Sequence, residues 1–389
     1  MITEIGISNF RSIKEQTIPI KKLNILYGPN GSGKSSVAYA PYVMRNLLVN
    51  PNQKPNSLFN LGFIDLGSYE NVIKDNHFLK NIGISITSEL STIKNNPDHI
   101  LKYTLNLQDF LPSTMSFQIA EFYDTIDIDL PATLLEKKEI TFNEDKFIWN
   151  GFLFEALKNS TTKSPRFYSF ILNQIYEQIK AIEVISVKRG FFSPIFSSEA
   201  NTDESRLAMQ ISNEGRDFDL KIDNYFNKVF DKHFRFVAVP GSSSFYLRTD
   251  NKTGKTIDLV NEGFGINQFV YMLIKLLKKE TGLAFIEEPE IHLHPSAQGK
   301  MVDVFVDIIN KEDKQIFLTT HSENIVTAAL SKIAAGELSI DDVQFLLAEL
   351  KDGETIITPQ TVNEKGQLEG GLLSFMETEL ESLKKFLGI

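Results

Sequence analysis

Eight residues near the start of the chain, Gly28-Pro29-Asn30-Gly31-Ser32-Gly33-Lys34-Ser35, have the types and spacing of a phosphate-binding loop, G-x-x-x-x-G-K-[ST]. Gly28, Gly31 and Gly33 remove the Cβ atoms that keep backbone N–H groups from converging on an anion. The helix opening at Lys34 adds the positive end of its dipole. Lys34 is placed to reach the β- and γ-phosphates of ATP, and the Ser35 hydroxyl to ligate Mg²⁺. Asn30, Ser32 and Ser36 complete the residues expected to line the nucleotide.

Leu283-Ala284-Phe285-Ile286-Glu287-Glu288 is an apolar run closed by two acids. A buried strand of that kind delivers carboxylates to its C-terminal end, where open α/β sheets bind ligands. Glu287 stands on the magnesium side, and Glu288 is the candidate base that activates water for attack on the γ-phosphate. Thr319-Thr320-His321-Ser322 closes the next strand, so His321 comes to the same sheet edge, where it can donate to the γ-phosphate. Asn261-Glu262-Gly263-Phe264-Gly265 precedes a helix and forms an anion site by the logic of the first loop. One chain already has a phosphate loop, so this second helix start points at the nucleotide of another protomer. Each segment alone has a plainer reading: an acidic strand end, a surface histidine, a helix cap.

The elements that must position these residues follow from periodicity. Ile2–Ser8 and Leu23–Tyr27 read as strands and Ser35–Leu48 as a helix in which Pro41 introduces a kink. From Leu259 onward, helix Ile266–Lys279, strand Leu283–Ile286, helix Ala297–Asn310, strand Gln315–Thr319 and helix Ser322–Leu330 alternate, which implies a largely parallel sheet. Between these pieces, Ile82–Leu90, Ile100–Leu107, Met115–Tyr123 and Ile140–Ile148 read as an antiparallel meander. Residues 165–232 read as mainly helical around a strand at Ile182–Val187, and Phe234–Val239 with Phe245–Arg248 as a hairpin. After Leu338 come two short strands, Val343–Leu350 and Thr355–Pro359, then a helix Leu372–Leu387. The expected division is 1–80 and 259–338 as two parts of one head, 81–258 as an inserted meander and helical subdomain, and 339–389 as a C-terminal segment.

Composition bounds the function. With 389 residues, 42% hydrophobic and 23% charged, the chain has the make-up of a folded globular protein. Forty Lys+Arg against 50 Asp+Glu give a formal charge of −10, so the molecule as a whole does not attract nucleic acid, while a local basic groove for DNA stays open. No cysteine means no disulfide, thiolate nucleophile or Cys-ligated zinc. The opening MITEIGISNFRSIKE lacks the apolar core of a signal peptide, and no apolar run is long enough to span a bilayer. A cytoplasmic protein with no membrane partner is expected. The missing heptad run argues against a long coiled-coil arm.

In this order, phosphate loop, Gly263 helix start, LAFIEEPEIHLHP and TTHS, the chain resembles the ABC-type ATPase head shared by the SMC, RecF and overcoming-lysogenization-defect groups. More narrowly, ISNFRSIKE, FNLGFIDLGSYENVI, EGFGINQ, EEPEIHLHP, TTHSE and NEKGQLEGGLLSFMETEL resemble AAA-type bacterial ATPases that carry the C-terminal segment known as domain of unknown function 3696. The resemblance implies an α/β fold, an ABC-type P-loop ATPase head, with ATP and Mg²⁺ as cofactors. It puts Asn261 and Gly263 where the signature loop's Ser and Gly contact the γ-phosphate of the opposite protomer, and His294 where the D-loop, which runs between the two protomers, carries a polar residue. Arg189 in VISVKRGFFSP resembles the Arg of a segment that usually reads GPxR, although the Gly-Pro is absent here. The Q-loop Gln is not evident; Asp65 is either a polar substitute or a strand-end residue. Asn in place of the signature Ser predicts slow turnover. His292 and His294 lack the spacing of helical zinc ligands.

What the resemblance implies about function is an ATP-switched homodimer, or higher homo-oligomer, built on composite ATP sites. It controls a separate effector in bacterial anti-phage defence. The alternative is a RecF-like repair or clamp ATPase that holds duplex DNA. The stretch after His321 contains no DxD pair, so no nuclease is assigned to this chain.

Overall fold

The computed structural model describes residues 1–76, 80–89, 100–108, 112–119, 122–128, 137–142, 145–157, 164–197, 202–251, 253–369 and 371. The expected helix Leu372–Leu387 lies outside them. The chain forms two compact units, and each draws on separated stretches of sequence.

The first unit comprises Met1–Lys21, Pro29–Ile182 and Leu347–Thr358. Strands β1 (Ile2–Phe10) and β2 (Ile13–Pro19) form an antiparallel hairpin. The Leu23–Tyr27 segment, β3, belongs to the other unit. Helix α1 (Lys34–Val49) continues through Pro41, and α2 (Tyr69–Val72) is a single turn. Strand β4 (Ile82–Glu89) pairs with β1, and β5 (Ile100–Leu107), β6 (Ser113–Ile119) and β7 (Phe122–Ile128) extend the same sheet in the order β2-β1-β4-β5-β6-β7. The meander thus grows directly from the N-terminal hairpin. Strands β8 (Lys138–Phe142), β9 (Asp145–Trp149) and β10 (Phe154–Ala156) make a small second sheet, and α3 (Ser164–Lys180) follows. Tyr103, Phe117, Trp149 and Phe154 meet edge to face or stacked in the core, with Phe117 and Trp149 centroids 4.7 Å apart.

Two segments that alternate as single strands reverse in space. Met115–Tyr123 is the end of β6 and the start of β7, with Ile119 opposite Phe122, and Ile140–Ile148 spans β8 and β9, with Phe142 opposite Asp145. A sequence without Gly or Pro leaves the period-2 pattern unbroken, so alternation alone does not reveal the reversal.

The second unit comprises Lys22–Gly28, Glu183–Leu346 and the segment from Pro359. It contains β11 (Ile182–Ile185), β12 (Phe196–Ser197), α4 (Asp203–Glu214), α5 (Arg216–Phe230), β13 (His233–Ala238), β14 (Ser244–Asp250) and β15 (Thr256–Asp258). Then come α6 (Phe264–Leu277), β16 (Leu283–Glu287), α7 (Pro295–Lys311), β17 (Gln315–Thr320), α8 (Glu323–Ala334) and β18 (Val343–Lys351). The main sheet runs β11-β16-β17-β3-β18, with β16 parallel to β17 and β17 parallel to β3. Every residue of β3, β16 and β17 is buried, as expected for a parallel sheet covered on both faces. Strand β18 leaves this unit after Leu346, and its hairpin partner β19 (Glu354–Gln360) lies mostly in the first unit.

Candidate active site

Strand β3 ends at Tyr27, and the backbone turns at once through glycines held at positive φ: Gly28 at 150°, Gly31 at 78° and Gly33 at 88°. Gly33 caps α1 in the left-handed region that residues with a Cβ rarely adopt. The Lys34 ammonium folds back over the loop, donating to the Pro29 carbonyl at 2.8 Å and to Ser32 Oγ at 3.4 Å. Ser32, Lys34 and Ser36 are buried, Ser35 half-buried, and Asn30 and Gly31 exposed. A Cβ on Gly31 would meet nothing within 4 Å, so the loop's outer side is open to a ligand.

Behind the loop stands a brace that sequence reasoning missed. Thr355 on β19, fully buried, donates from Oγ1 to the Ser32 carbonyl at 3.0 Å and shares a 2.7 Å hydrogen bond with Ser12 Oγ. Its N–H donates to the Ser12 carbonyl at 2.8 Å. A Cβ on Gly33 would fall 2.0 Å from Thr355 Oγ1 and 2.8 Å from Ser12 Oγ. Gly33 therefore meets two demands at once, a positive φ and a backbone-close neighbour. No local pattern marks Thr355, more than 300 residues from its partner along the chain.

In the second unit the parallel register sets Glu287 opposite Thr319 and Thr320 opposite Tyr27. The ends of β16, β17 and β3 thus lie side by side, and the chain leaves β3 directly into the phosphate loop. Glu287 is buried at 3% exposure. Glu288 takes φ 42°, a left-handed conformation costing about 1–3 kcal/mol for a residue with a Cβ. Its N–H donates to the Thr319 carbonyl at 2.8 Å. The turned-out carboxylate lies 3.6 Å from His321 Nε2, within ion-pair reach. Glu290 holds the other partner: its Oε1 accepts from Thr320 Oγ1 at 2.7 Å and from the His321 N–H at 2.9 Å. Glu287, Glu288 and His321 are thus gathered at one edge.

Arg189 lies beneath this edge, 2% exposed. It donates from one terminal nitrogen to the Glu287 carbonyl at 2.5 Å and the Ser186 carbonyl at 3.0 Å, and from the other to the Glu288 carbonyl at 2.7 Å. Burial lowers its pKa to about 10, against the opposing fields of Glu290, Glu287 and Glu288. It stays charged at neutral pH.

Asn261 closes a short 3-10 turn and Gly263 caps α6; both are exposed. The first turn of α6 has no side-chain cap, and a Cβ on Gly263 would meet nothing within 4 Å. The intervening Glu262 points away from the helix start, bound to Lys232 at 2.7 and 2.9 Å and to the Thr249 hydroxyl. His294 caps α7, its Nδ1 accepting from the Ser296 N–H at 3.3 Å. Asp65 accepts from the Gly67 N–H at 2.9 Å and so closes its own turn. Among the described residues no cluster of three or more His, Cys, Asp or Glu forms a metal cage. The Ser35 hydroxyl in the first unit is a hard oxygen donor of the kind Mg²⁺ accepts, and so, in the second unit, is the Glu287 carboxylate.

Comparisons with known proteins bear on the family and the fold. The chain is 21% identical over 335 residues to an ATP/GTP phosphatase of Helicobacter pylori, covering 84% of this chain and 86% of the relative. It is 24% identical over 360 residues to the Septu protein PtuA of Bacillus thuringiensis, covering 88% and 76%. Among solved structures, an Smc head bound to the C-winged helix domain of ScpA superposes with a TM-score of 0.56 at 12% identity, over 93% of this chain and 98% of that one. The fold is that of an ABC-type P-loop ATPase head. A family model described as AAA ATPase domain matches residues 1–326, and the chain belongs to that family.

Proposed function

We propose that this AAA ATPase is a Mg²⁺-dependent, ATP-switched dimer that controls a separate effector in bacterial defence against phage, working in the cytoplasm. The observation that carries the reading is the pairing of Glu288 with His321 at 3.6 Å, on a strand edge whose neighbour β3 runs straight into the phosphate loop. Loop N–H groups and Lys34 bind the phosphates. Ser35 and Glu287 are the residues that would hold Mg²⁺, which would supply neutralisation of phosphate charge. Glu288 takes the proton of the attacking water, and His321 donates to the γ-phosphate. The open start of α6, with Asn261 and Gly263, offers N–H groups to the γ-phosphate held by a second copy. ATP then joins two chains and hydrolysis releases them. The likeness to Septu PtuA supports the defence setting. Among the described residues no helix is long and apolar enough to cross a membrane.

The test is hydrolysis with and without Mg²⁺ in wild type, Lys34→Ala and Glu288→Gln. Lys34→Ala should lose both binding and turnover, whereas Glu288→Gln should bind ATP and lose turnover alone. A Glu288→Gln enzyme at the wild-type rate overturns the assignment of the base.

A further inference from the structure

Arg189 and Asn267 form a relay with no counterpart in the chemistry described so far. Asn267 is 3% exposed in the first turns of α6, where a buried amide must find partners. It finds them chiefly in one residue: its Oδ1 accepts from the Phe191 N–H at 2.7 Å, and its Nδ2 donates to the Phe191 carbonyl at 2.8 Å. This clamps the Arg189–Phe191 segment to the signature helix through both backbone polar groups of one residue. Gly190 between them has φ 140°, and a Cβ there would fall 3.2 Å from Asn267 Oδ1, so the segment lies flat against the amide. Two residues before Phe191, the guanidinium reaches the carbonyls of Glu287 and Glu288. A planar fork can serve two successive carbonyls at once, which a lysine ammonium cannot do with the same fixed geometry.

The backbone of Glu288 is held from both sides, its N–H by Thr319 and its carbonyl by Arg189 and the Ile291 N–H at 3.2 Å. A left-handed residue with a Cβ persists only where its surroundings over-determine it. The same helix also presses on the turn that follows, since a Cβ on Gly265 would fall 2.4 Å from the His292 carbonyl.

We infer that Arg189 is a positioning residue for the Glu287–Glu288 pair, and that Asn267 locks it to the signature helix. A displacement of α6 when its N-terminus meets a nucleotide is then felt at Glu288 of the same chain. The inference rests on the proposed ATP hydrolysis and deepens it: each chain's signature helix sets the competence of its own carboxylate.

The experiment compares wild type, Arg189→Met, Arg189→Lys and Asn267→Asp in full-length protein. A fluorescent ATP analogue measures binding, and single-turnover hydrolysis at saturating ATP measures the chemical step. Arg189→Met should bind the analogue within about threefold of wild type yet hydrolyse about 100-fold more slowly, the penalty of a misplaced catalytic group. Asn267→Asp keeps the acceptor, loses the donor and touches no carboxylate; it should lower the same rate about tenfold with binding intact. Arg189→Lys should recover part of the loss. If Arg189→Met does not fold, the Lys and Asn267→Asp proteins carry the test. Wild-type hydrolysis in these variants overturns the inference, and so does a loss of analogue binding in step with the loss of rate, which marks a merely structural role. A wild-type protein without hydrolysis overturns the proposed function itself, and the inference with it.

Discussion

Gly31 and Gly33 separate two reasons for a glycine within one loop. Both hold positive φ, but a Cβ at Gly31 has open space while one at Gly33 strikes Thr355 and Ser12. Gly31→Ala should therefore cost about 1–2 kcal/mol of backbone strain and weaken ATP binding by setting a methyl on the ligand side, while leaving the brace undisturbed. Gly33→Ala should abolish binding, because the β19 brace must shift before the loop can close. Isothermal titration with ATP on the two proteins distinguishes them. The glycines, Lys34 and Ser35 were legible from spacing alone, because the chemistry of the loop is local. Thr355 was not, because its role exists only once β19 has been brought beside the loop. Arg189 stood between: the resemblance drew attention to it, but only its fork on two carbonyls gives it a task.

Elements carry their own tests. Asp219, in the first turn of α5, has a buried Oδ1 without a hydrogen-bond partner, and burial raises its pKa, with Asp223 adding to the rise. A carboxyl raised in the folded state binds protons more readily there than in the unfolded chain. Its contribution to stability is therefore present at low pH and is lost as pH rises through the folded value. Asp219→Asn should raise the thermal midpoint at pH 7, with the gain fading as the solution is acidified into the carboxylate range; melting curves over that range check it. At the start of α7, His294→Ala removes the cap and should cost about 1 kcal/mol by denaturant unfolding. The parallel strands were readable because burial on both faces leaves unbroken apolar runs, as in Leu283–Ile286. The β6–β7 and β8–β9 reversals were hidden because no Gly or Pro interrupts the sequence of Met115–Tyr123 or Ile140–Ile148.

Assembly is the test at the scale of the whole molecule. With composite sites, Gly263→Asp sets a carboxylate against the partner's γ-phosphate and blocks closure while its own phosphate loop stays intact. Lys34→Ala has the converse defect. Mixed in equal amounts, the two inactive proteins should regain part of the wild-type hydrolysis, because one of the two sites in a mixed dimer is whole. Hydrolysis by Gly263→Asp alone, independent of protein concentration, would leave a simpler single-chain enzyme.

The central place of β3 has a consequence for how the molecule is made. Its five residues are synthesised long before the strands on either side, β17 and β18, which begin at Gln315 and Val343. An entirely buried strand thus waits for both neighbours while the long intervening stretch is synthesised. Such long-range pairing closes late and slowly, and it leaves a sticky segment for chaperones to shield. The nucleotide loop that follows it in the chain is also incomplete until Thr355 has emerged. A nascent chain can therefore carry the whole phosphate-loop sequence and still lack the residue that braces it.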